Sequence, residues 1–219
     1  MVVRARESAA PFVPVERKLP VLVEAVKKCR GCDLYRTATQ AVFGEIDTGE
    51  VVASHFRATI MMIGEQPGDQ EDKQGRPFVG PAGKLLDKAL HEAEIDRSQV
   101  YVTNAVKHFK WESRGKLRIH KKQNMKEIHA CRPWLDAEVE TVRPQLIVAL
   151  GATAAQALLG SSFRITRSHG QVQAATGLPP VIATLHPSAI LRARTDEDRR
   201  AQMRALVEDL RAALRIAGK

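Results

Sequence analysis

Residues 59–69, TIMMIGEQPGD, set the architecture: five residues, Thr59 to Ile63, run without polar alternation into Gly64-Glu65-Gln66-Pro67-Gly68-Asp69. An apolar run of that length, closed by glycine and proline, reads as a strand buried on both faces that ends in a polar turn. Residues 100–103, 146–150 and 181–185 repeat the pattern. Between these runs the apolar residues change period. Ala82, Leu85, Leu86, Ala89, Leu90 and Ala93 step by three and four behind Pro81, which suits a first helical turn. Met125, Ile128, Leu135, Val139 and Val142 form a second helical stripe, in which Pro133 is expected to kink or restart the helix. Met203, Leu206, Val207, Leu210 and Leu214 form a third. Apolar strands alternating with helices imply an α/β fold, a three-layer sandwich with a central four-stranded parallel sheet flanked by helices. Ligand chemistry is then expected at the carboxyl ends of the strands.

The 219 residues suit one domain, and 44% hydrophobic with 27% charged residues excludes a disordered chain. No apolar stretch approaches the roughly 18 residues of a membrane span. Residues 1–18 lack apolar periodicity and are expected to be a mobile arm ahead of one domain over 19–219; residues 44–58 read as a polar surface loop. The net charge of +9 favours a polyanionic partner. Three cysteines without a secretory leader point to the reducing cytoplasm and to free thiols. A monomer is expected.

The residues after each strand are polar and chemically varied: Glu65, Gln66 and Asp69 after the first, Asn104 after the second, His186-Pro187-Ser188 after the last. The segment Pro77-Phe78-Val79-Gly80-Pro81-Ala82-Gly83 adds an aromatic ring. Carboxylates, amides, an imidazole and a ring on one rim have the composition of a reaction site. Within 107–122 lie Lys107, Lys110, Arg114, Lys116, Arg118, Lys121 and Lys122 against one acid, Glu112, interleaved with Phe109 and Trp111. Such a segment can track phosphates and stack unpaired bases. The arginines of 192–215 are balanced by acids and read as the solvated face of a helix. Cys29-Arg30-Gly31-Cys32, joined by the distant Cys131, reads as a metal site, because the pair follows a helical stretch rather than the strand a thioredoxin-like use needs. Zinc and an iron-sulfur cluster both accept such a set, and His108 and His129 are both candidates for the fourth ligand.

Taken in order, Gly64-Glu65-Gln66-Pro67-Gly68, the 77–83 segment, Asn104-Ala105-Val106-Lys107-His108-Phe109 and His186-Pro187-Ser188 resemble the uracil-DNA glycosylase superfamily. Gly115-Lys116-Leu117-Arg118-Ile119-His120 looks like the basic, histidine-ended loop that distinguishes the UdgX branch from the iron-sulfur family 4 enzymes, with Leu117 where that branch usually has a first arginine. The resemblance implies a structural [4Fe-4S] cluster on Cys29, Cys32, His108 and Cys131, zinc being the alternative. It implies excision of uracil from DNA, single strands preferred, with Glu65, His120 and His186 catalytic and with Gln66, Asp69, Phe78 and Asn104 around the base. Lys107, Lys110, Lys116, Arg118, Lys121 and Ser188 are the candidate DNA contacts. It further implies that His120 attacks the sugar and stays joined to it, leaving a covalent protein–DNA adduct. The competing expectations are a turnover glycosylase that releases abasic DNA and a non-catalytic, metal-containing DNA-binding module. The protein is expected in the cytoplasm, on the nucleoid through its DNA.

Overall fold

In a computed structural model, residues 7–46 and 58–218 are described. After a short 3-10 turn at Ala10–Phe12 come α1 (Leu19–Val26), β1 (Glu45–Ile46), β2 (Ile60–Gly64), α2 (Asp69–Gln74), α3 (Pro81–Glu92), β3 (Val100–Asn104), β4 (Trp111–Arg114), β5 (Leu117–His120) and α4 (Met125–Val142). The second half adds β6 (Leu146–Leu150), α5 (Ala152–Leu159), α6 (Ile165–Ser168), β7 (Val172–Gln173), β8 (Val181–Thr184), α7 (Pro187–Leu191) and α8 (Asp196–Ala217).

The main sheet has the order β1-β3-β2-β6-β8-β7. Its inner four strands are the parallel set expected from sequence; β1 and β7 add antiparallel edges, so the sheet is six-stranded and mixed rather than four-stranded. Each edge strand is two residues long, too short to carry a periodicity. Strand pleating divides the inner residues between two cores. Ile60, Met62, Val100, Val102, Val148 and Ile182 face α3 and α8; Met61, Ile63, Tyr101, Ile147, Ala149 and Val181 face the side of α4 and α5. Burial on both faces explains why these strands show no polar alternation. Among the described residues, no helix is long and apolar enough to cross a membrane.

α4 runs through Pro133 without restarting. Its start is fixed by a reciprocal cap: Asn124 accepts from the Glu127 N–H at 2.9 Å, and Glu127 accepts from the Asn124 N–H at 2.8 Å. A third core, containing Leu22, Val26, Phe43, Trp134 and the three cysteines, ties α1 to α4. Residues 1–6 of the expected arm lie outside the described residues; Ala9 is buried, and its N–H bonds the Ala130 carbonyl at 2.7 Å. Of the expected 44–58 loop, Glu45–Ile46 forms β1 and residues 47–57 lie outside the described residues.

Candidate active site

The register pairs Gly64 with Asn104, so the ends of β2 and β3 lie side by side. They open into a cleft of about 770 Å³ lined by Glu65, Gln66, Phe78, Asn104, His120 and His186. Gly64 makes the crowding at its floor tolerable: a Cβ there would stand 2.4 Å from Asn104 Oδ1 and 2.8 Å from Phe78 Cζ. Phe78 has φ +56, in the left-handed region, and α3 packs so closely on its backbone that a Cβ at Gly83 would come within 1.6 Å of the Phe78 carbonyl oxygen. The ring is thereby held toward the cleft, 6.1 Å from the His186 ring and tilted by 31°.

His186 caps α7. Its Nδ1 accepts the Ser188 N–H at 3.1 Å and lies 2.8 Å from Ser188 Oγ. A ring nitrogen that accepts an amide proton carries none itself, so the neutral imidazole bears its proton on Nε2. Burial, followed by the nearby Arg192 and His120, pushes His186 down to about 4. The residue therefore offers a neutral N–H donor across the physiological range.

His120 enters on the β4–β5 ribbon, with Nε2 4.0 Å from Glu65 Oε1, and that carboxylate oxygen is buried without a hydrogen-bond partner among the described residues. The ribbon is clamped at two places. Arg118, on the same face as His120, bonds Asp69 Oδ1 and the fully buried Asp72, each at 2.6 Å, with its guanidinium 5.5 Å from the Phe109 and Trp111 rings. At the root, the Gln66 amide accepts the Lys110 N–H at 2.7 Å and donates to the Lys121 carbonyl at 3.0 Å. A two-stranded ribbon alone is marginal in water, so these clamps determine where His120 stands.

Several expected site residues also make contacts within the protein. Gln66 lines the cleft, but its amide is committed to the ribbon; Asp69 is turned to Lys73 and Arg118, which hold its carboxyl below the usual range. Arg118 is bonded to both carboxylates of the clamp. Lys107 is fully buried, bonded to Glu138, Thr103 Oγ1 and the Asn104 carbonyl, while Glu138 also accepts from Tyr101, Thr103 and the Gly44 N–H. A cation enclosed with its counter-ion cannot face phosphates. Lys110 is largely buried against Glu127 at 2.8 Å. Lys116 and Lys121 remain exposed, and Ser188 serves His186. The sequence reading missed Glu71, which lines the cleft and binds the Gly68 N–H at 3.1 Å and the Gly80 N–H at 2.9 Å. Only its position three residues beyond Gly68, as in a capping pattern, could have signalled it.

Cys29, Cys32 and Cys131 are buried free thiols in one core. Trp134 Nε1–H donates to Cys29 Sγ at 3.2 Å and the Lys107 N–H to Cys131 Sγ at 3.3 Å, bringing the adjacent His108 to the same region. Burial pushes Cys32 up to about 11 and Cys131 up to about 12, with the neighbouring cysteines adding to each, and pushes His108 down to about 4, keeping its imidazole neutral. Thiols this reluctant to ionise without a cation, yet supplied with N–H donors, fit a metal-sulfur group. Among the described residues no three side chains converge on a single ion. A four-iron cluster takes one ligand per iron, so its donors need not converge on one point. His129 is exposed and stands apart.

A doubly covered α/β sheet with a carboxylate, an amide, an aromatic ring and two imidazoles around a cleft at its strand ends defines an enzyme-like site. The chain belongs to the uracil DNA glycosylase superfamily, whose family model matches residues 52–211. It is 38% identical over 199 residues to a type-4 uracil-DNA glycosylase of Thermotoga maritima, covering 90% of this chain and 94% of that one. Similarity to a type-4 uracil-DNA glycosylase of Pyrobaculum aerophilum is 35% over 181 residues, covering 80% and 85%. A type-5 uracil-DNA glycosylase of the same organism is 32% identical over 180 residues, 74% of each chain.

Proposed function

We propose that this protein excises uracil from DNA, preferring single strands, and that His120 then bonds to C1′ of the sugar, as in the UdgX branch. The observation that carries the reading is the approach of His120 Nε2 to 4.0 Å from a Glu65 oxygen that has no hydrogen-bond partner among the described residues, on a ribbon clamped at two places. The target nucleotide leaves the stack, which costs about a few kcal/mol in a duplex and less in a single strand. Phe78 stacks on the base, and the Asn104 amide reads uracil by accepting from N3–H and donating to O4, a pattern that cytosine inverts. As the C1′–N1 bond breaks, its electron pair leaves with uracil, and the His186 Nε2–H donates to O2, where negative charge builds. Glu65 stabilises the positive sugar.

One ring nitrogen of neutral His120 forms the new bond to C1′, and the proton on the other passes to Glu65. The neutral, N-linked imidazole that remains is a poor leaving group, so the bond persists. Lys122 and Arg192, both lining the cleft, together with exposed Lys116 and Lys121, supply the phosphate-facing charge. Cys29, Cys32, His108 and Cys131 would hold a [4Fe-4S] cluster that, when bound, supplies a structural cross-link between the loop after α1, the end of β3 and α4.

The test uses an end-labelled oligonucleotide with one deoxyuridine, and compares the native protein with His120→Ser. The native protein is expected to retard the strand through denaturation, and His120→Ser to release abasic strand that breaks in alkali. An intact adduct from His120→Ser would overturn the role given to His120; an unchanged strand with both proteins would overturn the excision itself.

A further inference from the structure

Leu117 answers to neither clamp of the ribbon. Strand pleating sends Arg118 and His120 to one face and Leu117 and Ile119 to the other. Because Arg118 fastens its own face to Asp69 and Asp72, the ribbon cannot turn over to bury the second one. Leu117 is left 66% exposed and Ile119 37% exposed, an apolar pair on a strand otherwise rich in cations. Ile119 lines the cleft mouth beside His120 and Lys122, so the apolar face begins at the site and runs outward to Leu117. Exposed Arg114, opposite Leu117, and Lys116 flank its outer end, neither forming an ion pair among the described residues, while Glu112, opposite Ile119, is neutralised by Lys121 at 3.2 Å. Apolar surface with free cations at its outer end and a neutralised carboxylate at its inner end complements unpaired DNA, which presents flat bases and phosphates together. A paired helix keeps its bases stacked inside and offers no such match.

We propose that the Leu117–Ile119 face is a platform for the unpaired nucleobase that neighbours the extruded nucleotide. The proposal rests on the reading of the cleft as the uridine site. It gives that site its single-strand preference and assigns Leu117 a gain of base contact in place of a phosphate contact.

The probe is a single-stranded oligonucleotide with one 2′-fluoro-deoxyuridine, whose fluorine blocks cleavage, so that fluorescence anisotropy reads binding alone. One version has ordinary bases on both sides of the uridine; the other has base-free tetrahydrofuran spacers there. The native protein is expected to bind the first version roughly fivefold to thirtyfold more tightly, as for covering the two-thirds of Leu117 now in water. Leu117→Ser should erase that difference and bind both at the native protein's spacer level, while Leu117→Phe should keep or enlarge it. If Leu117→Ser weakens both versions equally, or neither, the platform is refuted. Sedimentation of DNA-free protein as a dimer that Leu117→Ser converts to monomer would reassign the face to a second copy of the chain and refute it as well. Excision is scored separately on the cleavable oligonucleotide. No discrimination by the native protein with excision intact counts against the platform, whereas discrimination by the native protein without excision counts against the uridine reading.

Discussion

Replacing Arg118 with alanine should separate the two halves of the proposed reaction. The guanidinium bonds Asp69 and Asp72 at 2.6 Å each, and Asp72 is fully buried. Stripping one partner from a buried ion pair costs about 3–5 kcal/mol. Here the loss is smaller, because Asp72 still accepts the Thr39 N–H at 3.0 Å and Asp69 is 30% exposed and keeps Lys73. About 2 kcal/mol is expected, which is roughly a 30-fold shift in the equilibrium between docked and released ribbon. Released, His120 no longer stands beside Glu65, but Phe78, Asn104 and His186 hold their places through other elements. Adduct formation, timed on a denaturing gel, should therefore slow by up to roughly 30-fold, while alkali-labile abasic strand appears in its place. Arg118→Lys should rescue little, since one ammonium cannot reach both carboxylates as the planar fork does. Undiminished adduct formation in a folded Arg118→Ala protein would refute the view that this clamp positions His120.

Gly64→Ala should abolish excision with little change in thermal midpoint, since its Cβ would displace Asn104 and Phe78 at the cleft floor rather than disturb the core; retained activity would show that the floor tolerates the shift. The His186 imidazole is pushed down to about 4, below the ordinary value near 6.5, so the unfolded chain takes up a proton first as pH falls. Its contribution to stability is thus undiminished above pH 6.5 and declines between about 6.5 and 4, and His186→Gln should flatten that part of the stability profile in urea titrations. Lys107→Met, by stranding Glu138 in the core, should lower stability by about 3–5 kcal/mol, and adding Glu138→Gln should recover most of it; equal losses in both variants would mean that the pair itself is dispensable. Protein purified without air should be brown and contain iron, and Cys131→Ala should lose both colour and iron.

The inner strands were legible because burial on both faces leaves an unmistakable apolar run, and Gly64, Glu65, Asn104 and His186 followed from where those runs stop. The edge strands were not, being too short for periodicity and fixed only by pairing with their neighbours. The charged residues were legible by type and not by partner. Lys107 and Arg118 read as DNA contacts because a local excess of cations shows no counter-ions nearby in sequence, yet Glu138 lies 31 residues from Lys107, and Asp72 lies 46 residues from Arg118. The same folding commits the Gln66 amide to the ribbon root. Leu117, an anomaly in a basic loop, becomes intelligible only once the pleat shows which face it occupies.

The central claim is the bond between His120 and the sugar. Its most direct test is to incubate the protein with single-uracil oligonucleotide, digest the complex with nuclease and protease, and sequence the modified peptide by mass spectrometry. A sugar-phosphate remnant on the His120 imidazole and free uracil in equal amount are expected. Uracil released with every peptide unmodified, or a remnant carried by another residue, would contradict it.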